Sequence, residues 1–145
     1  MSALAEATGE SASLFVSDGV IRFCLLRVDS KQSVRHTAVV GEPLPLNSGA
    51  SGQIINIFSG GASTITEKSL KKIPTIHVGT GPLDVSSIAV PIFGVGGDFI
   101  GAITVSGPAS RFDIKARKRA TRRLMDVMKV LTAELGGDPL IFKGT

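Results

Sequence analysis

Apolar and polar positions change period several times along the chain, and each change marks an element. Residues 2–9 (SALAEATG) read as a short helix closed by Gly9. Two apolar, β-rich runs then flank Asp18-Gly19, a hairpin signal, giving strands at 12–17 and 20–28. The polar DSKQS stretch makes a loop, and 34–40 predicts a third strand. Two prolines hold 41–45 extended. Ile54, Ile55, Ile57 and Phe58 crowd a helix over 48–59, which must be buried on most sides, with Asn47 or Ser48 as N-cap and Gly60-Gly61 as its end. A short helix over 66–72 begins at Thr66, and 73–83 is loop or a short edge strand. A second hairpin runs 86–95, turns at Gly96-Gly97-Asp98 and returns over 99–106. Asp113 caps a long helix over 114–135, whose apolar stripe is Ala116, Ala120, Leu124, Val127/Met128, Leu131 and Leu135. Residues 138–145 read as a tail. The order has no βαβ alternation, so the expected class is α+β: an antiparallel sheet of five to six strands with helices packed on its faces.

The second hairpin carries chemical information. Strand alternation puts Ile88, Val90, Ile92, Gly101, Ile103 and Val105 on a core face. The other set is Ser87, Ala89, Pro91 and Phe93 against Ile100, Ala102, Thr104 and Ser106. If the turn register lets these share a face, its open end is small and hydroxyl-bearing. Such a face either lets a helix approach closely or forms a pocket floor. The string Ser48-Gly49-Ala50-Ser51-Gly52 favours the pocket, because glycines admit a ligand to the backbone and a helix N-terminus favours an anion. Together they suggest a small carboxylate-bearing metabolite held by main-chain amides of the Ser48-Gly49-Ala50-Ser51-Gly52 string and by the hydroxyls of Ser87, Thr104 and Ser106.

Composition narrows the rest. The chain has 145 residues, enough for one domain, and lacks an apolar run of about 18 residues that would span a membrane. Tryptophan and tyrosine are absent, which disfavours base-stacking platforms. The net charge of +4 is local: Lys115, Arg117, Lys118, Arg119, Arg122 and Arg123 hold six of the 16 basic residues, leaving ten against twelve acids elsewhere. That strip is either a solvated helix face or a partner-facing, DNA-facing one. One cysteine, Cys24, excludes an internal disulfide and fits a reducing cytoplasm as a small buried hydrophobe. With only His36 and His77 beside it, no structural zinc site and no other metal or cofactor site is expected. Catalytic motifs are missing too: Gly49-Ala50-Ser51-Gly52 lacks nucleophile-elbow spacing, and the glycines at 94–97 read as a turn. Each histidine reads as structural or solvent-facing, not as a general base.

The strings LAEATGESASLFV, VRHTAVVGEPLPLNSGASGQ and VSSIAVPIFGVGGDFIGAITVSGPASRF, followed by a basic-to-apolar helix, resemble the effector-binding domain of IclR-type bacterial transcription regulators. The resemblance covers about 4–136, and the hairpin ending in V-S-G-P-x-S-R-F is its most specific part. It implies a GAF-like fold, a single effector domain over 1–137, and a pocket for a small organic or aromatic acid contacted by Ala50 and Ser51, by Ser87 and by Thr104, which narrows the candidate ligand-binding residues to Ala50, Ser51, Gly52, Ser87, Thr104 and Ser106. It also implies a homodimer or homotetramer that transmits the signal, with DNA reached only through a winged helix-turn-helix outside these residues. The stretch from Gly60 to Ser86 is shorter than the family's, where a lid and an acidic ligand contact normally lie, and that acid maps onto no residue here.

Three function classes follow. A cytoplasmic sensor shifts its assembly state on binding a ligand, either within a regulator or as a freestanding GAF-type module. A GAF-fold enzyme, such as one reducing free methionine sulfoxide, needs a second cysteine that Cys24 lacks. A purely assembling protein fills its pocket with its own side chains.

Overall fold

The computed structural model describes residues 1–81 and 84–145; Pro82 and Leu83, in the predicted loop, lie outside the described residues. Ten elements follow in order: α1 (Ser2–Thr8), β1 (Ser11–Ser17), β2 (Ile21–Val28), β3 (Pro43–Pro45), α2 (Gly49–Phe58), α3 (Glu67–Leu70), β4 (Thr75–His77), β5 (Val85–Phe93), β6 (Phe99–Pro108) and α4 (Ile114–Glu134). The six strands form one antiparallel sheet in the order β3-β2-β1-β6-β5-β4. Helix α2 packs on β4, β5 and β6, whereas α1 and α4 pack together and α4 lies on β5 and β6. The expected α+β class and strand number are what the chain adopts.

Local chemistry explains most boundaries. Asp18 Oδ1 accepts hydrogen bonds from the Val20 and Ile21 amides at 2.9 and 3.1 Å, closing the first hairpin. Thr66 and Ser69 form a capping box that starts α3, and Asp113 accepts from the Ala116 amide at 2.7 Å to start α4. Helix α2 buries Ile54, Ile55 and Phe58 completely, each worth roughly 1.5–3 kcal/mol. Gly52 admits this packing: a Cβ there would collide with the Leu46 carbonyl oxygen.

Three expectations need correction. Residues 34–40 form no strand; Val34, Val39 and Val40 are exposed, and β3 at 43–45 takes the place beside Ile21–Phe23 instead. The His36 carbonyl, which a ladder would use, accepts from Ser11 Oγ at 3.1 Å and from the Arg27 guanidinium. The α4 stripe holds at Ala120, Leu124 and Met128, with Val127 and Leu131 partly buried against the core, but Leu135 lies past the helix end and is exposed, and Thr132 is buried instead, its Oγ1 accepting from the Phe93 amide at 3.3 Å. Residues 139–142 form a 3-10 turn, not a free tail, and it delivers Phe142 fully buried onto Phe93, with ring centroids 5.9 Å apart.

The V-S-G-P-x-S-R-F string has a structural task. Arg111 donates to both carboxylate oxygens of the buried Glu10, at 2.6 and 2.9 Å. Gly107 leaves the room that carboxylate needs, since a Cβ there would overlap it. Phe112 is buried one residue on. The string therefore ties the start of β1 to the connection leading into α4.

Candidate functional site

Register decides what the second hairpin presents. Ser87 pairs with Ser106, Ala89 with Thr104 and Pro91 with Ala102, so the small residues do share one face. Strand β1 extends it, because Ser13 pairs with Thr104 and Ser11 with Ser106. Helix α2 lies on this face: the Ala50 amide donates to Ser87 Oγ at 3.3 Å, and Thr75 Oγ1 donates to the Ala50 carbonyl at 2.8 Å. At the closed end of the hairpin the same face is filled by Phe58, Phe93 and Phe99, with Phe58 edge-on to Phe93 at 5.4 Å. At the open end it is not filled. A cavity of about 530 Å³ opens there.

Its walls include four of the six candidate residues: Ser51, Ser87, Thr104 and Ser106. Ala50 and Gly52 are buried but do not line it; Ala50 joins α2 to the sheet, and Gly52 joins it to the Leu46 backbone. Ser48 occupies the N-cap position of α2 without capping it through its side chain. Its hydroxyl instead accepts from Arg22 Nη2 at 3.2 Å.

Arg22 is the residue that sequence reasoning missed. Strand β2 carries it into the cavity wall, where it is only 8% exposed. Its Nε donates to the Pro45 carbonyl at 3.0 Å and its Nη1 to Ser51 Oγ, and the guanidinium lies 5.0 Å from the Phe15 ring centroid. Every partner is neutral. No carboxylate lies within ion-pair distance among the described residues, unlike Arg27, which holds Asp29 at 2.6 Å. Burial pushes the Arg22 guanidinium below its ordinary pKa, which reflects the cost of keeping the charge out of water. The charge also sits at the N-terminus of α2, where the helix macrodipole is positive. Two like potentials are concentrated on one cavity wall.

Strict alternation hides this arrangement. Arg22 and Arg27 are an odd number of residues apart and should point to opposite faces. The bulge in the β1–β2 ladder pairs Leu14 with Leu26 but Phe15 with Cys24, leaving Leu25 extra, so both arginines reach the α2 face. The available signal was two arginines, Arg22 and Arg27, among apolar residues of β2, together with Ser11 and Ser13 alternating on β1.

Two further groups complete the wall. His36 lines the cavity, with Nδ1 3.0 Å from Ser106 Oγ, and His77 lies at the edge on β4. Burial, then the nearby Arg27 charge, lowers the His36 pKa below its ordinary value of 6.5. Thr104 Oγ1 is the buried side-chain oxygen that finds no hydrogen-bond partner among the described residues, although Thr104 is 3% exposed and lines the cavity. Glu42 and Asp84 also border the cavity, and both are exposed. Asp84 accepts from the Gly81 and Thr80 amides, which hold its carboxyl below the usual range. Cys24 is buried away from this wall, its thiol pushed up by burial. Among the described residues no group of three metal-ligating side chains forms.

Similar architectures exist among solved structures. A transcriptional regulator of the IclR family from a Rhodococcus species superposes with a TM-score of 0.77 at 22% identity, over 94% of this chain and 60% of that one. Pseudomonas aeruginosa HmgR gives 0.78 at 20% identity, over 99% of this chain and 64% of that one. The C-terminal domain of a transcriptional regulator from Vibrio cholerae gives 0.72 at 25% identity, over 90% of each chain. The chain has the fold of the IclR-type effector-binding domain. The GAF-like expectation holds with it. No family model and no curated protein matches the sequence. The chain spans about 60–65% of the length of the first two IclR-family regulators it matches, so the IclR-type fold accounts for one part of such proteins. No described helix is long and apolar enough to cross a membrane.

Proposed function

We propose that this chain is the ligand-sensing domain of an IclR-type transcriptional regulator and that its cavity takes a small carboxylate-bearing metabolite. The buried, anion-less Arg22 at the α2 N-terminus carries this reading. A carboxylate between Arg22 and that helix end would offset the desolvation of the guanidinium and meet it with charge-assisted hydrogen bonds. Thr104 Oγ1, with Ser87 and Ser106 beside it, supplies polar contacts for the ligand's second group; the apolar wall at Phe15 and Leu44 supports its body. Ser51 already holds Arg22, and Ala50 and Gly52 set the position of α2 behind it.

Binding, not catalysis, suits this chemistry. The Ser106–His36 contact has the form of a nucleophile–base pair, yet burial of the imidazole, and then the nearby Arg27 charge, disfavour the imidazolium such a step must form. The signal would pass through a homodimer or homotetramer in the cytoplasm, reaching DNA through a domain outside these residues. Thermal melting against a panel of small organic acids tests the reading. An acid at about 100 times its Kd should raise the midpoint by roughly 5–10 °C. Flat midpoints across the panel would overturn it.

A further inference from the structure

Helix α4 places its charges against its own electrostatics. Beyond the Asp113 cap its first turn holds Lys115 and Arg117 and no acid, and its last turn holds Glu134 and no base, the reverse of what a helix macrodipole favours. Lys115 and Arg119, Lys118 and Arg122, and Arg119 and Arg123 are like-charge pairs four apart, each unfavourable to the helix. None of these residues forms an ion pair among the described residues, although Asp126 follows one turn later. The buried stripe at Ala120, Leu124, Met128 and Thr132 fixes the rotation of α4. Lys115, Lys118, Arg119 and Arg122 therefore share the opposite, exposed face over about 10 Å of helix. Arg119 is partly engaged, donating to the Thr8 carbonyl at 3.3 Å.

We propose that this face of α4 docks on the sugar-phosphate backbone of a nucleic-acid duplex. A rigid line of cations with no aromatic or acidic residue among them matches a regular phosphate array and reads no base. Its arginines suit bidentate phosphate contacts. A lipid surface fits poorly, because the apolar face of α4 is committed to the core and cannot insert. The test is anisotropy of a labelled 20-base-pair duplex titrated with the full chain. Three to four phosphate contacts imply roughly 40- to 150-fold weaker binding at 200 mM than at 50 mM salt. The double reversal Lys118→Glu/Arg122→Glu, checked for an unchanged melting point, should abolish binding; Lys71→Glu should leave it intact. Should the reversal lower the melting point, the milder Lys118→Gln/Arg122→Gln must still weaken binding at least tenfold. No binding at 50 mM salt, binding indifferent to salt, binding that survives the reversal, or displacement by poly-glutamate at equal charge would each overturn the proposal, the last in favour of an acidic protein.

Discussion

One face of one hairpin is built in two ways. Toward the turn, Phe93 and Phe99 meet Phe58 of α2 and Phe142 of the C-terminal 3-10 turn, and the space closes. Toward the open end the residues at equivalent positions are Ser87, Thr104 and Ser106, and the space stays open beside a buried guanidinium. Strand pairing and the covering helix are common to both ends. Side-chain size and polarity alone separate a packed core from a cavity. Evolved cores rarely leave a buried hydroxyl unpaired or a buried charge uncompensated. The open end does both within one wall, and a guest that brings an anion and a polar group would resolve them together.

Substitutions at the two ends should behave oppositely. Phe93→Ala at the closed end should cost about 3–5 kcal/mol, because Phe58, Phe99 and Phe142 each lose their contact with the ring. Urea denaturation measures this, and a loss below about 1 kcal/mol would mean that the aromatic cluster does not hold that end shut. Arg22→Met at the open end removes a buried charge whose partners can be hydrated from the cavity, so stability should change by no more than about 1 kcal/mol. Its melting response to acids should disappear. Thr104→Val should be neutral, or stabilising by up to about 1 kcal/mol, since it deletes an unpaired buried hydroxyl. The same change should weaken acid binding several-fold, a pairing of effects that no closed-end substitution produces.

The smallest effect is in pH. His36 has a lowered folded pKa, so the unfolded chain binds the proton more readily. Stability from this source is fully present above about pH 6.5 and declines as the pH falls below 6.5 toward the lower folded value. Melting midpoints between pH 7.5 and 5 should fall less steeply in His36→Gln than in the parent chain.

Much of the architecture was legible because local rules and tertiary packing agree. Asp18-Gly19, the Thr66 cap and the alternation of the second hairpin each placed an element within a residue or two. The disagreements have separate causes. Val34–Val40 is apolar enough for a strand, but Ser11 and Arg27 draw its backbone at His36 into side-chain hydrogen bonds. Leu135 follows the helical period, yet α4 ends before it. At the site, alternation found Ser87, Thr104 and Ser106. Arg22 pairs with Ser17 beside the turn and so shares the face of Ser13 and Phe15, whereas a one-residue bulge at Leu25, invisible to any periodic reading, brings Arg27 onto that face as well.

The most direct measurement is calorimetric titration with matched pairs of organic acids and their uncharged amides, against the parent chain and Arg22→Gln. At least one acid should bind the parent chain and its amide should not, with affinity reduced at least tenfold in Arg22→Gln. Equal binding of acid and amide, or an acid whose affinity survives the loss of Arg22, would contradict an anion site at the mouth of α2.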